Sequence, residues 1–480
     1  MSAPPSSAGS PSLRALFSSR AGHLALAVLV VELLAGMQIY LNQTVLPLLA
    51  TEMGARNAYG LVTAAAQVPA FLTMPLGGAM LARWRPDRLM TALTALLVVG
   101  AVVGALAPNV EVYVLGEILR GLAAGALATA TMGVMVAGLP DAWRRLCLAG
   151  GSGMWVVAAL AGPVYASGVS ASWGWRWALV AYLPVLIAAR AVMAGQIHDL
   201  RLDEETDHDE TVPWLPALAM ASGVALIGAL RASSPWFWPG VGVGTALVLW
   251  SCSYVLPDGT LRLVPGRRAG IATLMWVCAF FLTLDYLVAP SAHDVLDMTP
   301  TQIGWALTAG GIGWSAVAIA CGARPAREPQ AYRRRTMLAA VFFLVGTMLM
   351  VVTVLEKADW WGLPVGYGVA SIGMGLTHLD TMNRIVTDPV EPDGITHAQA
   401  ATAVTIAGAA GGAVLGTAST AFVAPTASGV ETDRLWPTLI LLVVGLLLTP
   451  LLARRAARVG GWPHAPAGST IAPMWILRMR

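Results

Sequence analysis

Fourteen stretches of this chain are each apolar over a length sufficient to cross a bilayer, and only short polar connectors separate them. A spanning helix needs roughly 20 mostly apolar residues at about 1.5 Å each, because backbone polar groups in hydrocarbon must find partners inside the segment. That pattern predicts a polytopic membrane protein. Spans are expected at 23–49, 58–82, 89–107, 111–139, 146–170, 175–194, 213–231, 236–256, 269–290, 302–322, 335–355, 361–386, 397–423 and 434–453. Of the 480 residues, 57% are hydrophobic and 11% charged, against about 25% charged in a soluble domain. The longest connector holds fewer than twenty residues, so a soluble catalytic or regulatory domain is not expected between the spans.

Basic residues set the orientation, since Lys and Arg near helix ends are retained on the cytoplasmic side. With the N-terminus inside, twenty-three of the 29 basic residues fall on inner segments, Arg190, Arg267 and Arg335 among them. Five fall outside, namely Arg56, Arg176, Arg231, Lys357 and Arg434. The remaining one, Arg120, lies within a span. Both termini are therefore expected in the cytoplasm, and the net charge of +3 reflects topology and not a nucleic-acid surface. Residues 1–22 are polar and rich in Ser and Pro, which reads as a disordered tail ahead of an uncleaved signal anchor. One Lys against 28 Arg suggests a high-GC bacterial genome, and hence the plasma membrane. Cys147, Cys252, Cys278 and Cys321 lack metal-site or disulfide spacing and read as packing residues.

The acidic connector 199–210 separates six spans from eight. Setting 213–256 aside as an extra hairpin leaves six plus six, as expected where two six-helix halves enclose a solute site near mid-membrane. The expected organisation is a tail at 1–22, a first half at 23–195, a linker at 196–212, the hairpin at 213–256, a second half at 257–453 and a second cytoplasmic tail at 454–480.

Span 5 carries Gly153, Gly162-Pro163 and Gly168, followed by Trp173-Gly174-Trp175-Arg176-Trp177. Small residues let helix backbones approach closely, and a proline inside a helix removes a hydrogen bond and bends it. This block resembles the antiporter motif of the major facilitator superfamily, in its fourteen-helix drug:proton antiporter branch. The loop after span 2, with Gly78, Arg83, Asp87 and Arg88, is similar to the gating loop of that family, with Ala82 in place of its usual Asp. Arg120 stands where the family carries an intramembrane arginine. Asn42 to Pro47 resembles the end of its first helix, with Gln38 where an Asp is usual. The resemblance implies an all-α integral membrane fold, a 6+6 helix bundle with an extra central two-helix hairpin, and transport without a cofactor.

The intramembrane charges point to function independently, because each costs free energy that apolar packing would avoid. Glu32 lies nine residues into span 1, about 13 Å from the inner edge of a roughly 30 Å core. Asp285 lies in span 9, nearer the outer face. A carboxyl there, gaining and losing a counter-charge as access alternates, can bind and release a proton. Arg120 needs a carboxylate partner, either Glu117 or Glu32. His378, Asp380 and Arg384 cluster at one end of span 12, where Asp380 and Arg384 have the i,i+4 spacing of a helical ion pair. Proton-coupling candidates are thus Glu32, Asp285, Glu117, Arg120, His378 and Asp380, the other reading being static ion pairs. Gln38, Tyr40, Asn42, Trp155, Trp276, Tyr286 and Trp305 are candidates to line a mostly apolar substrate cavity.

These features predict a secondary active transporter that exports a small amphipathic or hydrophobic compound by proton antiport, such as a drug, an antibiotic or a secondary metabolite. Uptake of a small solute, or export of a lipid-like molecule, is the alternative with the same fold. An integral-membrane transferase would need paired acidic motifs or a metal triad, which the short, irregular 199–210 connector does not offer. The expected partners are the substrate, protons and the lipid bilayer, with the chain a monomer that binds no metal.

Overall fold

The protein is described by a computed structural model at residues 17–55, 58–197, 214–230, 234–324, 326, 328–356, 359–386, 393–395 and 397–420. These residues are helical throughout apart from short connectors. In chain order the helices are α1 (Arg20–Glu52), α2 (Tyr59–Arg83), α3 (Pro86–Ala105), α4 (Val110–Gly138), α5 (Asp141–Trp173), α6 (Trp175–Ala178), α7 (Leu183–Ile197), α8 (Trp214–Ala229), α9 (Phe237–Val255), α10 (Arg267–Pro290), α11 (Pro300–Ala323), α12 (Pro329–Leu355), α13 (Gly362–Val386) and α14 (His397–Thr420). A π-helical turn, Ser291–Val295, continues α10.

Helices occupy the expected stretches from 23 to 420, and the expected span 434–453 and tail 454–480 lie outside the described residues. Among the described residues eight helices are long and apolar enough to cross a membrane, by length and composition. Shorter apolar helices include Trp214–Ala229 and Ala403–Ser419. Most of the tail expected at 1–22 also lies outside the described residues, but α1 starts at Arg20 and so reaches into it. Local chemistry explains several helix starts. The Asn109 side chain accepts from Val112 N at 3.0 Å ahead of α4, and Thr299 with Gln302 forms a capping box ahead of α11. Pro86, Pro300 and Pro329 open their helices, where a missing N–H leaves no intrahelical bond unmade.

The chain divides into two compact units, one of residues up to Asn42 and Ala65–Ala217, the other of Gln43–Ala64 and the residues from Leu218 on. In the first unit, added Cβ atoms at Gly100 of α3 and Gly116 of α4 would run into the backbone of the opposite helix. Gly121 and Gly125 of α4 press on Ala66 and Ala70 of α2 in the same way, and Gly36 of α1 lies on Ala158 of α5. Lipid offers no hydrophobic drive for helix association, so such close backbone approach supplies the packing energy. Val31, Leu34, Leu97, Val134 and Met193 fill the apolar core beside these seams.

The second unit repeats the pattern when its helices are counted from α10. Gly346 of α12 meets Gly366 of α13, Gly313 of α11 meets Gly368 of α13, and Gly411 of α14 meets Ala279 of α10. Third with fourth, second with fourth and first with fifth are thus the glycine-lined pairs in both units. The α8–α9 pair closes likewise through Gly223 and Gly244.

Candidate functional site: two buried carboxylate clusters

In the first unit, α1 and α4 bring Gln38, Asn42, Glu117 and Arg120 into one cluster. Glu117 and Arg120 lie one turn apart on α4, are 2% and 4% exposed, and form an ion pair. Arg120 Nη1 also donates to Asn42 Oδ1 at 3.1 Å, and Nη2 donates to Gln38 Oε1 at 3.5 Å. The Asn42 amide in turn donates to the second Glu117 oxygen at 3.5 Å. The phenols of Tyr113 and Tyr182 stand beside the pair. Of the two partners the sequence left open for Arg120, Glu117 is the one bonded. Both Glu117 oxygens and both terminal Arg120 nitrogens are thus bonded, while Arg120 Nε is buried without a partner among the described residues. A charge pair bonded to this extent is tolerable in a low-dielectric interior.

Glu32 has a different neighbour. It is half-buried on α1, facing the Trp155 indole of α5 and the Arg190 guanidinium of α7. Arg190, counted in the sequence only as a basic residue of an inner segment, is 8% exposed and donates to Thr131 Oγ1 at 3.1 Å. Its place near the end of a span hid it, because a basic residue there obeys the orientation rule whether or not it turns inward.

The second unit holds its own carboxylate. Asp285 of α10 is 2% exposed and accepts from two neutral donors, the Tyr367 hydroxyl of α13 and Gln43 Nε2 of α1, the latter at 2.5 Å. No Arg, Lys or His contacts it among the described residues. Sequence reasoning passed over Gln43, a neutral residue next to the candidate Asn42. The two amides are consecutive on α1, yet Asn42 serves Glu117 and Arg120 while Gln43 serves Asp285. Phe281 stacks on the Tyr367 ring at 6.0 Å and meets Trp314 edge-on at 5.4 Å, and Trp314 meets His378 edge-on at 5.6 Å. An aromatic run thus leads from Asp285 to His378.

Asp380 does not take the partner its spacing suggested. Its carboxylate pairs with Arg335 of α12 at 2.6 Å and accepts from Ala326 N at 3.3 Å, while Arg384 lies over the Tyr332 ring. Arg335 also donates to the Arg324 carbonyl. The i,i+4 geometry permitted an Asp380–Arg384 pair, but an arginine from the neighbouring helix reaches the carboxylate instead. A second clamp forms at the start of α10, where Arg267 grips Asp393 with two nitrogens and donates to the Ile395 carbonyl at 2.7 Å. This pairing holds the Asp393 carboxyl below its ordinary range.

The remaining sequence candidates fall in varied places. Gly162 packs on Tyr40 and Pro163 is buried within α5, but Gly153 and Gly168 have no neighbour within 4 Å of an added Cβ. Gly78 and Arg83 lie on α2, the Arg83 side chain outside the described residues; Asp87 pairs with the nearby Arg85 at 3.2 Å, and Arg88 is exposed. Trp276 meets Phe280 edge-on at 4.9 Å, and Tyr286 covers Gly416. Trp305 is 60% exposed and shares an outward stripe of α11 with Ile312 and Ile319, away from the buried clusters. All four cysteines are buried and free.

A profile described as Major Facilitator Superfamily matches residues 28–417 of this chain. The "Fatty acid resistance protein FarB" of Neisseria gonorrhoeae is 31% identical over 140 residues, which cover 29% of this chain and 28% of that protein. A "Triacylglyceride transporter" of Mycolicibacterium hassiacum is 32% identical over 164 residues, covering 33% and 30%. "Efflux pump apf11" of Gibberella fujikuroi is 25% identical over 178 residues, covering 36% and 30%. The chain thus spans less than a third of the length of these curated relatives. The crystal structure of a peptide transporter POT matches at 13% identity with a TM-score of 0.63, over 90% of this chain and 95% of that one, and shares its fold.

Proposed function

Since this chain belongs to the major facilitator superfamily and is a multi-pass membrane protein, we propose that it is a transporter of small molecules that exports an amphipathic or hydrophobic compound in exchange for protons. The observation that carries the proton part is Asp285, a buried carboxyl whose donors among the described residues are all neutral. A carboxylate in that setting is poised to lose its charge by taking up a proton, and opening to water on either side returns it. Glu32, half-buried beside Arg190, is the second coupling carboxyl. The export direction draws support from relatives named for resistance and efflux, and from Gly162 and Pro163 in span 5.

A second reading, export of a lipid-like molecule, is favoured by two relatives named for fatty acid resistance and triacylglyceride transport. The recurrence of the same glycine seams in both units supports two six-helix halves, with α8 and α9 an extra hairpin in a fourteen-helix chain. The arginine distribution supports cytoplasmic termini in a bacterial plasma membrane.

The deciding measurement is flux in proteoliposomes with and without an imposed pH gradient, for wild type, Glu32→Gln and Asp285→Asn. The amides keep volume and hydrogen bonding but remove the titrating proton, so each should abolish uphill export while sparing downhill exchange. Full gradient-driven export by both variants would exclude these carboxyls as coupling sites. Supplying a lipophilic drug in one arm and a long-chain fatty acid or triacylglycerol in another separates the two substrate readings.

A further inference from the structure

The two donors to Asp285 differ in freedom. The Tyr367 ring is wedged between Phe281, stacked on it at 6.0 Å, and Gly310, where a Cβ would overlap it. Its hydroxyl is fixed. Gln43 ends a flexible side chain in an amide with a donor on one atom and an acceptor on the other. Its Nε2 donates to Asp285 Oδ2 at 2.5 Å, while its Oε1 is buried with no hydrogen-bond partner among the described residues. From the elements around Asp285, α13 presents the titratable Tyr367, α1 presents the neutral Gln43, and no charged group faces it among the described residues.

We propose that Gln43 is the positioning residue for proton exchange at Asp285, its amide serving the carboxylate through Nε2 and, turned over, the carboxylic acid through Oε1. When a proton from water adds to Oδ2, the new O–H becomes a donor and a fixed N–H facing it would be left opposed. Turning the amide by half a revolution presents Oε1 as acceptor, and Nε2 then occupies the position Oε1 had. One amide atom is without a partner in either state, and a buried carbonyl oxygen is less costly to leave unpaired than a buried N–H, so the arrangement that serves the carboxylate is the favoured one. Release of the proton to water reverses both steps. This inference rests on Asp285 acting as a coupling carboxyl.

The test is the pH dependence of gradient-driven flux in proteoliposomes, for wild type, Gln43→Leu, Gln43→Glu and Asp285→Asn, each checked for monodisperse folded protein. Hydrogen bonds to an ionised carboxyl favour its charge, so losing the Nε2 donor moves the midpoint of the profile to higher pH by about one unit. Gln43→Glu keeps the shape but supplies no donor when ionised, and shifts the midpoint in the same direction; it carries the test if Gln43→Leu does not fold. Slower flux at every pH with an unmoved midpoint in the Gln43 variants would overturn the proposal and leave Gln43 a packing residue. A wild-type profile in Asp285→Asn would instead overturn the role of Asp285 itself, so the two failures are distinguishable.

Discussion

The ring of Tyr40 on α1 fills the space left open by the absent side chain of Gly162 on α5. Four residues earlier on both helices, Gly36 meets Ala158 in the same fashion, so the contact is a seam and not a single touch. Gly162→Leu would force Tyr40 aside and part the helices. Overpacking of this kind costs about 1–3 kcal/mol, enough to displace a conformational equilibrium roughly tenfold. The expected outcome is a large loss of flux at near-normal surface expression. Gly153→Leu, which meets open space, should transport almost normally.

Glu117 and Arg120 should be more costly to separate than to remove together. Removing one partner of a buried ion pair is destabilising by about 3–5 kcal/mol because the other charge is stranded. Glu117→Leu should therefore sharply lower the melting temperature of detergent-purified protein. The double variant Glu117→Leu with Arg120→Leu should recover much of that loss. Additive effects in the two single variants would contradict the bonded pair.

Asp393 supplies a pH signature outside the spans. Arg267 holds its carboxyl below the ordinary value of about 3.9, so the contact contributes stability fully above that value and loses it as pH falls through the lower, folded-state value. Asp393→Asn should melt several degrees below wild type at neutral pH. That gap should close only in strongly acidic solution, as followed by melting temperature against pH.

Topology can be read with cysteine chemistry, aided by the burial of all four native thiols. An engineered cysteine at 199–210 should be shielded from an impermeant thiol reagent in intact cells, and one at 424–433 labelled. The opposite pattern would reverse the orientation inferred from the arginines.

Helix positions were readable from hydropathy because each span must satisfy its own backbone, which makes length and apolarity nearly sufficient signals. The Glu117–Arg120 pair was readable for a related reason, as both residues lie on one helix a turn apart. Partners that come from elsewhere were not. Asp380 has an arginine four residues on, yet bonds Arg335 from another helix, and Asp285 is held by Gln43 from 242 residues away. Neither contact leaves a mark in local spacing. Arg190 failed differently, since its inward turn depends on which face of α7 meets α4 at Thr131.

The glycine-lined pairs have a consequence for how this chain tolerates change. Along α3 with α4, and α12 with α13, backbones touch at Gly100, Gly116, Gly346 and Gly366. Apolar surroundings accept a methyl group on polarity alone, so hydropathy would score an alanine there as an improvement. The geometry scores it as a spacer between two backbones. In a comprehensive substitution screen the least permissive positions of these helices should therefore be some of their smallest and least polar ones, with permissiveness following helix separation and not hydrophobicity.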